Sequence, residues 1–168
     1  MTIRGKAFIA GAYEHPDRKI PDKSVAQVHA EVALGALADA GLTLADVDGY
    51  FCAGDAPGFG PLSMADYLGL TRLSYMDSTE TGGSSYVAHV GHAAAAIAAG
   101  KCRVALITLA GLPRSQPPPR PGRASGPEQA FESPFGPTIP SMYAMAAWRH
   151  MHDYSTTSAQ LAANKVAA

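Results

Sequence analysis

The stretch TETGGSSYVAHVGHAAAAIAAGKCRVALI, residues 79–107, decides the fold. Its Gly82-Gly83 pair breaks whatever regular structure precedes it, and Ser84 and Ser85 stand where a helix can start. The Ala-rich body then runs without a breaker to Gly100, a helix stop. Immediately afterwards RVALITL, residues 103–109, is a continuous apolar run, as expected of a strand covered on both faces. Gly91 and the alanines at 93–96, 98 and 99 leave so little side-chain bulk that the helix is expected in the middle of a packed layer.

Working outward, the same alternation repeats. A first strand is expected over residues 3–13, with prolines at 16 and 21 marking the loop after it. Ser24 can cap a helix to about Asp39 whose buried face carries Val25, Val28, Val32, Leu34 and Leu37, and Gly41 ends it. A second strand, residues 47–52, a short helix, residues 62–70, and a third strand, Leu73 through Ser78, complete the approach to the opening stretch. Strand alternating with helix argues for an α/β class with a mostly parallel sheet, flanking helices and right-handed crossovers, over residues 1–112.

From residue 113 the composition changes. PRSQPPPRPGRASGPEQAFESPFGPTIP, residues 113–140, is expected to lack regular structure in its first part. A helix is expected over residues 141–153, and Thr156 or Thr157 can cap another. Residues 113–168 therefore form a second segment. Its last residues, LAANKVAA, carry no helix stop, which reads as a truncated chain.

The 168 residues are 47% apolar and 16% charged with a net charge of −1, a globular balance that gives no general pull toward nucleic acid or an anionic membrane. Cys52 and Cys102 are too few for a disulfide framework and have no zinc spacing, so a cytoplasmic setting and buried, inert thiols are expected. The N-terminus fits neither a signal nor a transit peptide, and the apolar run at 87–100 is too short to span a bilayer. Gly54, Gly58 and Gly60 do not form a dinucleotide fingerprint after the first strand.

A Gly-rich turn entering a helix presents backbone N–H groups at a positive helix end, where a thioester oxygen, carboxylate or phosphate can bind. Ser84 and Ser85 there can act as caps, as ligand donors, or, given a base, as nucleophiles. His89 and His92 are spaced for packing and hydrogen bonding rather than for a metal, since no carboxylate or cysteine is in register. His150 and His152, beside Arg149 at a helix end, read as a solvated face.

GGSSYVAHVGHAAAAIAAGKCRVALI resembles the thiolase-superfamily segment in which a strand ends in a Cys-x-Ser/Thr-Gly turn, a helix ends in Ala-Gly and a strand returns. YAMAAWRHMHDYSTTSAQLA, residues 143–162, resembles a segment of sterol-carrier-protein-x thiolases and related lipid-transfer proteins. The resemblance covers nearly the whole chain as the N-terminal half of that fold, with part of its loop domain at 113–153.

The resemblance implies an acyl-coenzyme A thioester as substrate, with no other cofactor and no metal. It places the family's nucleophilic cysteine at Gly83, so covalent acyl transfer is disfavoured. It implies substrate contacts at Gly82, Gly83, Ser84 and Ser85, with Met142 and Tyr143, and also Met145, lining an acyl pocket. It further implies a homodimer through the strand Leu73 to Ser78. Similar proteins lacking the cysteine carry out retro-aldol cleavage of steroid side-chain thioesters with a small partner subunit. Non-catalytic binding or assembly, and an acetyl-CoA acetyltransferase type of activity, are the alternatives.

Overall fold

The structure is a computed structural model that describes residues 2–115, 131, 133–136 and 138–167. The chain divides into two units, Met1–Pro118 and Pro119–Ala168, each described by itself. The Pro-rich excursion expected from residue 113 lies largely outside the described residues.

In the first unit, helix α1 (Val25–Asp39) starts as its sequence suggests. The Ser24 hydroxyl accepts the Gln27 N–H at 3.2 Å, and the Gln27 side chain accepts the Ser24 N–H at 2.7 Å. Gly41, at φ +68°, takes the left-handed turn after it. Its buried face is Val28, His29, Ala33 and Leu37, whereas Leu34, expected inside, is exposed. Leu34 lies a single residue past Ala33, too far around the helix to share its contacts.

Strand β1 (Gly49–Phe51), helix α2 (Pro61–Tyr67), strand β2 (Tyr75–Asp77), helix α3 (Ser85–Ala98) and strand β3 (Ala105–Ile107) follow in that order. The strands form a parallel sheet, β2-β1-β3, with Gly49 opposite both Tyr75 and Ala105. Alternation then assigns the faces. Tyr50, Cys52 and Leu106 join Ala33, Leu37 and Met64 in the core under α1 and α2, while Phe51 turns to the other face, against His89 of α3.

Two expectations are corrected here. Residues 3–13 form no strand: Phe8 and Ile9 are 85% and 80% exposed, and apart from a turn at Ile3 no backbone bond ties this segment to the sheet. A strand exists only through its ladder, so apolar composition without a paired neighbour leaves the chain merely extended. The segment borders an open cavity of about 920 Å³, whose other walls include Val32, Val90, Ile97 and the unpaired side of β3. Secondly, α3 is buried along one face only, at Ser85, His89, Ala93 and Ala96; Gly91 has no neighbour within 4 Å of where its Cβ would be. Likewise β3 is only partly covered, with Leu109 just beyond it exposed.

In the second unit, helix α4 (Ile139–Tyr154) and helix α5 (Ser158–Ala167) occupy the expected stretches. Thr157, rather than Thr156, makes the reciprocal bonds at the start of α5, with Gln160. Among the described residues no helix is long and apolar enough to cross a membrane.

Candidate active site at the carboxyl ends of the strands

In an open parallel sheet, ligands bind beyond the carboxyl ends of the strands, where the loops converge. Here those loops are residues 52–56 after β1, 78–84 after β2 and 108–112 after β3. The second leads into α3. Gly83 is exposed, and a Cβ built on it would meet nothing within 4 Å, so the position expected to correspond to the nucleophile faces open space without a thiol. The N–H groups of Gly83, Ser84, Tyr86 and Val87 have no backbone or side-chain acceptor among the described residues. They are the orphan donors of a helix start and are free for an incoming oxygen.

Neither serine caps the helix in the ordinary way. Ser84 donates its hydroxyl to the Thr81 carbonyl at 2.9 Å. Ser85 is buried; its Oγ accepts the Thr81 N–H at 2.8 Å and donates to the Gly82 carbonyl at 2.7 Å. The Ser85 hydroxyl also lies 3.2 Å from the Glu80 carboxylate, but that carboxylate is held low by two backbone N–H groups and no histidine nitrogen is in contact, so neither serine has a base suited to activating it. Their bonds fix the fold of the Gly-rich turn.

Glu80 holds this turn to the first loop. Its carboxylate accepts the Gly54 N–H at 2.6 Å and the Gly82 N–H at 2.8 Å, bonds that hold its pKa below the usual glutamate range. A Cβ on Gly54 would lie 2.6 Å from the same carboxylate oxygen, so only glycine permits the approach. Beside it, Asp77 accepts from His92 at 2.6 Å. His89, one turn along α3, is fully buried with both ring nitrogens unpartnered.

A second constellation, not anticipated from the sequence, lies under the same loops. Asp55 accepts the Tyr86 hydroxyl and the Ala110 N–H, the latter at 3.0 Å, and its Oδ2 is 3.4 Å from His29 Nε2. That last distance is within ion-pair reach, although the alignment falls short of a good hydrogen bond, which leaves Nε2 without a formal partner. Burial pushes the Asp55 carboxyl up, but the His29 ring and the Ala110 N–H outweigh it and hold it low. His29 Nδ1 meets the Thr108 hydroxyl at 2.9 Å, which meets the Tyr50 hydroxyl at 2.7 Å. Burial raises the Tyr50 pKa far above its normal value and that of Cys52 to about 11, so the Cys52 thiol is inert. Cys102 is buried as well.

Met142, Tyr143 and Met145 belong to α4 in the second unit and are exposed. Met145 lines a cavity there, about 370 Å³, together with Trp148, Arg149 and His152. His150 and His152 are exposed, as their position near a helix end suggests.

No protein-family model matches the chain. It is 31% identical to the acetyl-CoA acetyltransferase of Methanothermobacter thermautotrophicus, a match spanning 84% of this chain and 38% of that protein. It is 31% identical to the 17-hydroxy-3-oxo-4-pregnene-20-carboxyl-CoA lyase of Mycobacterium tuberculosis, over 98% of this chain and 45% of that one. With the steroid side-chain-cleaving aldolase of Thermomonospora curvata the identity is 32%, over 94% and 42% of the two chains. The chain thus spans less than half the length of the curated relatives it matches. Among solved structures it superposes on the Ltp2-ChsH2(DUF35) aldolase with a TM-score of 0.65 and 30% identity, over 82% of this chain and 35% of that one. Fold and sequence agree that this is a thiolase-like α/β chain, similar alike to an acetyltransferase, to a lyase and to an aldolase.

Proposed function

We propose that the chain is part of a thiolase-like lyase that performs retro-aldol cleavage on a steroid or lipid side-chain acyl-CoA, working with a small partner subunit. The observation that carries this reading is Gly83: an open position with free backbone donors around it and no thiol. Acyl transfer of the ordinary kind needs a covalent intermediate that glycine cannot form. Retro-aldol cleavage needs only a base for the β-hydroxyl and donors for the thioester oxygen as it becomes an enolate. In this reading the N–H groups of Gly83 and Ser84 receive that oxygen, while Gly82 and Ser85, whose N–H groups are held by Glu80 and by the Gly82 carbonyl, shape the cradle around it. Met142 and Tyr143 contact the acyl group, and coenzyme A enters as part of the substrate, with no further cofactor. The names of two similar proteins and of the similar solved structure, which pairs two components, support both the reaction and the partner.

The free outer side of β2, at the edge of the sheet, supports a homodimer through residues 73–78. The free, buried cysteines support a cytoplasmic setting. The change of composition supports a segment boundary at 112/113, a few residues before the division between the compact units at Pro118 and Pro119. The acetyltransferase reading is favoured by one similar protein but opposed by Gly83 and by the engaged serine hydroxyls.

The test is an assay of the whole protein, with and without the partner subunit, on β-hydroxyacyl and β-ketoacyl thioesters of coenzyme A. Release of an aldehyde or ketone together with a shortened thioester is expected from the β-hydroxyacyl substrate. Thiol-dependent cleavage of the β-ketoacyl substrate would replace this reading with acyl transfer. Binding without turnover of either would replace it with the assembly role.

A further inference from the structure

We infer that Asp55 is the positioning residue for the start of α3, and that a directed hydrogen-bond chain through His29, Thr108 and Tyr50 holds it in place. The inference rests on the reading above only in identifying that helix start as the thioester-oxygen cradle. Its geometry stands independently.

Asp55 lies past the end of β1, and its carboxylate joins elements from both faces of the sheet. Tyr86 comes from α3 on one face, His29 from α1 on the other, and Ala110 from the loop after β3. The adjacent residue, Gly54, donates to Glu80, which in turn accepts from Gly82. The loop after β1 therefore grips the first turn of α3 at two points, before Gly83 through Glu80 and after it through Tyr86.

The proton positions in the chain follow from what each partner can donate. Either of the Tyr50 and Thr108 hydroxyls, 2.7 Å apart, can donate; the direction is set from the other end of the chain, where the Asp55 carboxylate calls for a proton on His29 Nε2 and leaves Nδ1 an acceptor. Thr108 has one proton and gives it to His29 Nδ1 at 2.9 Å. His29 then carries its own proton on Nε2, facing the Asp55 carboxylate at 3.4 Å. The opposite neutral tautomer would aim a lone pair of the fully buried His29 ring at the Asp55 carboxylate, leaving both repelled. Of the two neutral tautomers, this one alone sets a proton rather than a lone pair against the Asp55 carboxylate, the anion that fixes the Tyr86 hydroxyl. Side-chain exposure of Asp55 is 24%, so bulk water competes little for these contacts.

Three measurements test this. Nitrogen NMR shifts of the histidine ring read the tautomer directly. Nε2–H is expected at His29 in the native protein and Nδ1–H in Asp55→Asn, whose amide can turn an N–H toward the ring. A thiol introduced by Gly83→Cys, which has room for its side chain, reports on the helix start because a helix N-terminus favours the thiolate. Its alkylation by iodoacetamide at neutral pH is expected to slow severalfold when Asp55→Asn or Tyr86→Phe is added. Tyr86→Phe keeps the ring packed edge-on against His89, 5.7 Å between centroids, so it tests the hydroxyl without emptying the core. Finally, in the whole protein Tyr86→Phe is expected to lower kcat about tenfold with KM little changed, the signature of a misplaced cradle.

An Nδ1–H tautomer in the native protein, or an alkylation rate unmoved by both substitutions, would overturn the inference. Absence of lyase turnover in the unsubstituted protein would instead remove the reading under Proposed function, and the tautomer and alkylation results would still decide the role of Asp55.

Discussion

Helices α1 and α4 begin alike and end in different circumstances. Each opens with a reciprocal cap, Ser24 with Gln27 and Thr138 with Ser141, and each runs for four turns or so, 15 and 16 residues. Yet α1 buries Val28, His29, Ala33 and Leu37, whereas α4 buries no residue within its unit. Local signals start and stop a helix; they do not supply the surface against which it packs. The apolar side chains of α4, among them Met142, Met145 and Trp148, are left exposed within their unit.

The largest test of that contrast is a pair of methionine truncations. Met64 is 0% exposed in the core under α1, and Met145 of α4 is 63% exposed. Met64→Ala is expected to cost about 2–5 kcal/mol of unfolding free energy in urea, and Met145→Ala to stay within about 0.5 kcal/mol. Equal losses would show α4 to be packed in solution and would erase the distinction.

A second comparison lies within α3. His89 is buried with neither ring nitrogen partnered, while His92, one turn on, is exposed and bonded to Asp77. Removing the orphan polar atoms by His89→Leu is expected to stabilise the protein by about 1–3 kcal/mol, read as a raised urea midpoint. A loss instead would show that His89 has a partner in solution.

What could be read in advance divides along the same line. The helices, the three strand positions and the Gly-rich turn were legible because each announces itself within a dozen residues: Ser24 and Gln27, Gly41, Gly82-Gly83, Gly100. Residues 3–13 were misread because pairing is decided elsewhere in the chain, and Leu34 because the buried face of α1 turns on where its partners sit. The Asp55 constellation was missed for a related reason: His29 and Thr108 are 79 positions apart, and Tyr50 and Thr108 are 58 apart. The available signal was polar residues inside apolar runs, His29 between Val28 and Ala30 and Thr108 after Ile107. Such residues need partners when buried, and looking for those partners would have paired them.

The clamp on the Gly-rich turn gives a smaller effect. Gly54→Ala forces Glu80 away, and a loss of about 1–2 kcal/mol is expected, with the Gly82 N–H of the turn exchanging faster with deuterium. The caps come next. Ser24→Ala and Thr138→Ala each remove one such bond, at about 1 kcal/mol. Ser24→Ala should lower the urea midpoint, whereas Thr138→Ala should lower only the helical content of the second unit by circular dichroism.

The smallest effect is that of acid. His92 and Thr79 hold the Asp77 carboxyl low against the opposing pull of burial. A carboxyl whose pKa is depressed by folding contributes stability above its unfolded pKa of about 3.9, and loses it as the pH falls through the folded value. Because His92 is 43% exposed, solvent screens the pair and the contribution is expected to be at most about 1 kcal/mol. Asp77→Asn should therefore be less stable than the native protein at about pH 5, and the gap should close toward about pH 2 as the native carboxyl protonates. A gap that persists unchanged into acid would mean that Asp77 acts through its hydrogen bonds to Thr79 and not through its charge. The exposed pair on α4, Arg149 with Asp153, offers the control: its removal should leave the urea midpoint unmoved at both pH values.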